Sequence, residues 1–253
     1  MEHLKIAEQS GITVVTLEDG KANTLGSGMV RALTETAGKL ADGRGPVVLT
    51  GAGRFFSAGL DLVEVVGMDR HTLGAFLDSF EQMALQWFAL PRPVIAAVNG
   101  HAIAGGAIMA LTADFRIAAR GEWKIGLTEV SLGIPFPASA LEMTRFQVDP
   151  SRASRFFLAG ELYAPDEATA AGVLDRVVAP EALAEEAGKL AARLATSPGV
   201  AYAQTKAALR QPTLARIESA RAERREAFLD ALLNPVVRGH IEGTLNAMKS
   251  KKR

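Results

Sequence analysis

The chain has no cysteine. Disulfides, thiolate nucleophiles and zinc–thiolate centres are therefore excluded, and a reducing compartment is compatible with it. It has no excess of charge: 28 Lys and Arg balance 28 Asp and Glu, so no overall field favours nucleic acid or an anionic membrane. No apolar run approaches the ~18 residues of a membrane span. The N-terminal MEHLKIAEQS also lacks the basic segment and apolar stretch of a secretory signal. These absences predict a cytoplasmic protein that binds neither nucleic acid nor membrane. Histidines are few, and His3, His71, His101 and His240 have no metal-binding spacing, so no metal is expected.

Familiar motifs fail letter by letter. GAGRFF at 51–56 has Phe56 where a dinucleotide fingerprint needs its third glycine, and GHAIAGGA at 100–107 lacks the Lys and Ser/Thr of a phosphate loop. Ser57 is not in a G-x-S-x-G elbow and has no base in view. What is present is an ordinary globular composition, 48% hydrophobic and 22% charged over 253 residues, enough for a sizeable core.

Periodicity organises the chain. Leu4 to Gln9 and Ile12 to Leu17 read as a hairpin around Ser10-Gly11. Ser27 is placed to cap a helix with apolar positions Met29, Val30, Leu33, Ala37 and Leu40, which Gly43 and Gly45 stop. Pro46 to Thr50 reads as a strand, Gly51 to Gly53 as a turn and Arg54 to Leu60 as irregular. Amphipathic stretches at 61–67 and 71–90 follow, the first capped by Asp61. Further strands are expected at Phe115 to Ala118 and near Trp123 to Ile125. Strand and helix alternate to about residue 178, which argues an α/β fold. From Pro180 the composition turns helical. Ser197-Pro198-Gly199, Gln211-Pro212-Thr213 and Asn234-Pro235 predict breaks between about four helices.

The stretch from Pro93 to Pro137 concentrates the chemistry. An apolar strand, Val94 to Val98, breaks at Asn99-Gly100, and Gly105-Gly106 then lead into Ala107 to Thr112, an uncharged helix buried all round. Asp114, at the end of that helix, reads as structural. Glycines at a helix start expose backbone N–H groups to a ligand. Glu129 lies among Ile125, Leu127, Val130, Leu132 and Ile134, an apolar setting that raises a carboxyl pKa towards one suited to proton transfer. With a second small-residue turn in FFSAGLDL at 55–62, two N–H groups can converge on one carbonyl oxygen and hold an enolate. Proton chemistry α to a carbonyl is one reading; plain turns and a capping or ion-paired carboxylate are the other.

At these residues the sequence closely resembles the enoyl-CoA hydratase/isomerase (crotonase) superfamily. GAGRFFSAGLDL (51–62), PVIAAVNGHAIAGGAIMALTADFRIA (93–118) and IGLTEVSLGI (125–134) carry the resemblance in order, with KANTL at 21–25. It implies a spiral of ββα repeats over residues 1–197 and a C-terminal helical trimerisation region over 198–253, giving a trimer or dimer of trimers. It implies that the N–H groups of Ala58 and Gly105 form the oxyanion hole for an acyl-CoA thioester. Backbone around Phe56, Ala58 and Leu60 would receive the adenine end of coenzyme A, with Lys21 and Ala22 near its pantetheine or phosphates. Leu62, Val66, Ile108, Ile134, Pro135 and Phe136 either line the acyl pocket or serve as ordinary core. No cofactor is expected, coenzyme A being part of the substrate. The basic end, Lys249 to Arg253, is solvated or attracts the coenzyme A phosphates of a neighbouring subunit.

One departure bears on the reaction. The hydratase pattern has a catalytic Glu three residues after the oxyanion glycine, where this chain has Ile108; Glu129 alone matches the second. Adding water needs two such groups, whereas moving a double bond needs one. The resemblance is greatest to the Δ3,Δ2-enoyl-CoA isomerase branch, which implies conversion of 3-enoyl-CoA to trans-2-enoyl-CoA with Glu129 carrying the proton. Alternatives are another one-carboxylate enzyme of the superfamily (hydratase, decarboxylase, thioester hydrolase or synthase) and a non-catalytic member that binds acyl-CoA or associates with RNA.

Overall fold

The computed structural model describes residues 3–250, apart from the side chains of Met248 and Lys249. The basic end from Lys249 to Arg253 therefore lies outside what is described. The chain opens with the hairpin β1 (Leu4–Gln9) and β2 (Ile12–Leu17), followed by α1 (Ser27–Ala41), β3 (Val47–Gly51) and β4 (Phe55–Ser57). Then come α2 (Leu62–Val66), α3 (Arg70–Ala89), β5 (Val94–Val98), β6 (His101–Ile103) and α4 (Gly105–Leu111). β7 (Phe115–Ala119), β8 (Ile125–Gly126), α5 (Ala138–Gln147), α6 (Ala153–Leu158), β9 (Leu162–Tyr163), α7 (Pro165–Ala170) and β10 (Arg176–Val178) complete the mixed part. Helices α8 (Leu183–Ala195), α9 (Gly199–Leu233) and α10 (Pro235–Ser250) form the tail.

A six-stranded sheet runs β1-β2-β3-β5-β7-β10, parallel from β2 onward. Its central strands are apolar throughout because both faces are covered. Alternate residues go to opposite sides. Val47, Leu49, Val94, Ala96 and Val98 join the main core. Val48, Ile95, Ala97 and Ile117 instead meet Leu183, Ala187 and Ala191 of α8.

A second sheet, β4-β6-β8-β9, is built from the strands that directly follow β3, β5 and β7, with β9 added antiparallel beside β8. Each of these three turns of chain therefore gives one strand to each sheet and then a helix, which is a ββα spiral. Sequence alone reads 54–60 as irregular and gives no strand at His101–Ile103. Both three-residue strands exist because they pair with each other in parallel, a partnership no local pattern reveals. The ends of β4, β6 and β8 lie together, so the segments leaving them, Ala58 onward, Ala104 onward and Leu127 onward, start from one edge.

Two local expectations need correction. Gly26, not Ser27, takes the N-cap position of α1. The N–H and hydroxyl of Ser27 are met instead by the Glu64 carboxylate of α2. The tail has three helices among the described residues, because α9 runs unbroken through Pro212. Buried anchors on both sides of the proline hold it in one piece. Lys206 Nζ and Arg210 Nη2 reach the two oxygens of Asp114 at 2.8 and 2.6 Å, and Thr213 and Ile217 pack inward one turn on. Arg210 also lies over the Phe88 ring at 4.0 Å and donates to the carbonyls of Phe88, Thr112 and Ala113. Burial lowers the Lys206 pKa to about 8.

Candidate active site

The loop containing KANTL positions the first turn. Asn23, buried and at φ 53°, donates from Nδ2 to the carbonyls of Ala52 (3.0 Å) and Phe55 (2.8 Å). Ser57 Oγ donates back to the Asn23 carbonyl at 2.7 Å. The Ala58 N–H donates to the Ala22 carbonyl at 3.0 Å, and the Gly59 carbonyl accepts from the Leu25 N–H at 2.8 Å. Gly59 must be glycine: at φ 87°, a Cβ would sit 2.6 Å from the Ile103 carbonyl oxygen and 3.0 Å from the Gly105 nitrogen. The two turns thus touch backbone to backbone.

The second turn is set by Ala104, whose φ of 51° and ψ of −122° are rare for a residue with a side chain. Its N–H donates to the Gly126 carbonyl at 2.8 Å, and its carbonyl accepts from the Ile108 N–H at 3.1 Å. Helix α4 then packs so tightly that a methyl on Gly106 would overlap the Ser57 carbonyl. Among the described residues, neither the Leu60 nor the Gly105 N–H has an acceptor. Both residues face a cavity of about 420 Å³.

Glu129 reaches the same cavity from the far end of β8. Its carbonyl accepts from the N–H groups of Leu132 (3.0 Å) and Ile134 (2.9 Å), which fixes the residue at the start of a tight turn. The side chain is buried, and Oε2 has no hydrogen-bond partner. Burial away from water raises its pKa from 4.5 to about 7, against a small opposing effect of neighbouring backbone N–H groups. The remaining wall is mostly apolar: Leu62, Phe76, Leu77, Phe80, Ile108 and Ile134 are among its residues. Such a site can hold a carbonyl oxygen on two N–H groups and exchange a proton with the carbon beside it.

The profile of the enoyl-CoA hydratase/isomerase family matches residues 7–240. The chain belongs to the enoyl-CoA hydratase/isomerase family. It is 27% identical over 247 residues to human mitochondrial enoyl-CoA delta isomerase 1, covering 96% of this chain and 82% of that protein. It is 32% identical over 232 residues to Escherichia coli 2,3-dehydroadipyl-CoA hydratase, covering 90% of this chain and 89% of that protein. The crystal structure of human mitochondrial delta3-delta2-enoyl-CoA isomerase superposes with a TM-score of 0.94 at 27% identity, covering 99% of this chain and 100% of that one. The ββα spiral is accordingly the crotonase fold, and the protein is an enzyme of this family.

Within the family frame, the structure brings together Ala58, Leu60, Leu62, Gly105, Ile108, Glu129 and Ile134 around one cavity. Six of the residues drawn from the resemblance lie outside the cavity wall, Val66 and Pro135 among them. Lys21 is exposed and Ala22 half-buried, outside the cavity wall. The Phe56 side chain is fully enclosed, which leaves only its backbone for the contact with coenzyme A that the resemblance implies. Phe136 packs edge-on against Phe157, with ring centroids 5.1 Å apart, and belongs to the core. Ala58 also needs correction as an oxyanion donor, because its N–H is already committed to Ala22; Leu60 carries the free N–H. Sequence reasoning missed this because the letters do not say which N–H of a turn is already bonded.

The tail contributes to the wall as well. Phe228 of α9 and Thr244 of α10 line the cavity of their own chain. Helix α10 holds the Glu129 turn by contact of Val237 with Gly133 and by the His240 Nε2···Ser131 carbonyl pair at 3.1 Å. His101 lies at the cavity too, its Nδ1 accepting from the Lys124 N–H at 3.2 Å. Burial and the charge of Arg54 lower its pKa, favouring the neutral ring. Among the described residues no cluster of three or more His, Asp and Glu side chains is arranged to hold a metal, and no helix is long and apolar enough to cross a membrane.

Proposed function

We propose that this enzyme moves the double bond of a 3-enoyl-CoA thioester to give the trans-2-enoyl-CoA. One observation carries the reading: Glu129 is the only carboxylate among the described residues lining the cavity, with Ile108 on the same wall. The ionised Glu129 takes a proton from C2, and the electron pair is delocalised onto the thioester oxygen. The Leu60 and Gly105 N–H groups bind that oxygen as it gains charge. Glu129 then returns the proton to C4, and the double bond comes to lie between C2 and C3. One proton leaves and one is restored, so no cofactor is consumed, and coenzyme A enters and leaves with the acyl group.

Lys21 stands beside the 58–60 turn through the Ala22–Ala58 hydrogen bond, and we assign it to the coenzyme A phosphates or pantetheine. The assembly is a homotrimer or dimer of trimers in the cytoplasm, with residues 198–253 as its main contact. The exposed Val200, Leu209 and Val236 of the tail, at 71%, 63% and 80% exposure, support that surface.

The test is to offer purified protein 3-hexenoyl-CoA and crotonyl-CoA in parallel. Isomerisation of the first with little hydration of the second is expected. Robust hydration of crotonyl-CoA overturns the mechanism and favours the second reading, a hydratase, to which the 32% identity with the Escherichia coli enzyme lends support.

A further inference from the structure

A second cavity of about 440 Å³ opens between α1 and α3, with the buried Val30 and Met68 in its floor and the exposed Arg31, Glu35, Ala75 and Gln82 around it. One side chain lines both this groove and the site of Glu129: Phe76, which is only 5% exposed. Helical geometry explains the sharing. At about 100° per residue, Thr72, Ala75, Ser79 and Gln82 fall on one stripe of α3, Leu77 and Phe80 on another, and Phe76 between them. The first stripe faces the groove and the second faces the catalytic cavity.

We infer that Phe76 is the partition that sets the length of acyl chain the enzyme takes, and that the groove behind it is a closed-off extension of the acyl site. This rests on the reading that the Glu129 cavity receives an acyl-CoA. The cavity wall near Phe76 is apolar, through Leu62, Leu77 and Phe80, so a straight acyl chain gains affinity for each methylene it buries there. Once its end meets the Phe76 ring, further methylenes find no apolar surface to cover. Removing the ring joins the two cavities and lets the chain run on over Val30, Met68 and Ala75.

The test is equilibrium binding of saturated acyl-CoA thioesters, from butyryl to myristoyl, to the full-length protein. Saturated thioesters undergo no isomerisation, so the result does not depend on the proton shuttle. Wild-type affinity should rise about fourfold per methylene and then level off. Phe76→Ala should continue the rise for several methylenes past that point, and Phe76→Leu for one or two. Adding Thr72→Trp to Phe76→Ala, which refills the groove, should bring the levelling back. If Phe76→Ala does not fold, Phe76→Leu decides the matter by the same criterion. A levelling point unmoved in the folded variants, or no levelling in the wild type, overturns the role of Phe76. Failure to bind any acyl-CoA overturns instead the reading of the site on which it rests.

Discussion

A methyl group built on Gly105 lies 3.5 Å from the backbone nitrogen of Leu60, and its nearest neighbours besides are Leu25 Cδ1 at 3.4 Å and Gly59 Cα at 3.5 Å. These are ordinary van der Waals contacts, so the packing of the fold does not require glycine here. In the proposed mechanism, the space between the two free N–H groups does. Gly105→Ala should therefore fold with stability within about 1 kcal/mol of wild type, as expected of a substitution that creates no clash. Its kcat/KM should fall by about 10²-fold or more, the usual cost of losing one oxyanion donor. Urea denaturation and steady-state assay on the same preparation check both halves. Gly106→Ala is the contrast, because its methyl overlaps the Ser57 carbonyl and should destabilise the fold.

Glu129→Gln tests the carboxylate through activity and stability together. Loss of the only carboxylate among the described residues at the cavity should lower kcat by about 10²- to 10⁴-fold, with binding of saturated acyl-CoA retained. For stability, the folded pKa is about 7 against 4.5 for an ordinary Glu. The folded state thus holds its proton more tightly than the unfolded state, so Glu129 costs nothing below about pH 4.5 and costs progressively more up to pH 7. The full cost at pH 8 is on the order of 3 kcal/mol. Glu129→Gln should accordingly melt higher than wild type at pH 8, with the difference shrinking towards pH 5, which thermal scans across that range will measure.

The same titration shapes the rate. Because the proposed shuttle needs an ionised Glu129 to remove the C2 proton, kcat/KM for 3-enoyl-CoA should rise with pH through a single ionisation near 7 and then level off. A bell with two ionisations between pH 5 and 9 would point to a second acid–base group and count against a one-carboxylate shuttle.

Much of the fold was legible, and the limits have identifiable causes. β1, β2, β5 and the wholly buried α4 announce themselves by local pattern, since their periodicity or uniform apolarity reflects one environment. β4, β6 and β9 are two or three residues long and exist only through pairing, so no local pattern marks them. At the site, Glu129 stood out as a charge among apolar neighbours. Gly105 stood out through its motif. Leu60 was legible only as a wall residue, because its distinction is an N–H left without an acceptor after Ala22 and Leu25 claim the groups beside it. Phe76 and Phe228 come to the cavity from helices distant in sequence, and neither carries a signal beyond being apolar.

Ile108 is 3% exposed and lines the cavity with Glu129. Ile108→Glu puts a second carboxyl into the same apolar space, where burial and the neighbouring acid both favour its protonated form. The expected outcome is measurable hydration of crotonyl-CoA together with slower isomerisation, followed by the loss of absorbance of the conjugated thioester. A folded Ile108→Glu protein that isomerises at the wild-type rate would separate this position from the choice of reaction.

Pro212 tests whether tertiary anchors or local preference keep α9 in one piece. The proline lies on the exposed side of the helix and removes the N–H that would bond the carbonyl of Ala208, itself an exposed residue. An interior proline costs about 3 kcal/mol relative to alanine, less the roughly 0.4–1 kcal/mol by which its stiffness disfavours the unfolded chain. Water at the carbonyl of the exposed Ala208 offsets a further part. Pro212→Ala should therefore raise stability by about 1–2 kcal/mol, read as a higher urea midpoint with an unchanged slope. The opposite result has a definite meaning. Lys206 and Arg210 must reach Asp114 while Arg216 reaches Glu142 at 2.8 Å and Arg225 reaches Asp78 at 2.9 Å. If removing the proline destabilises the protein, the bend it imposes is what lets one helix satisfy anchors on both sides of that residue.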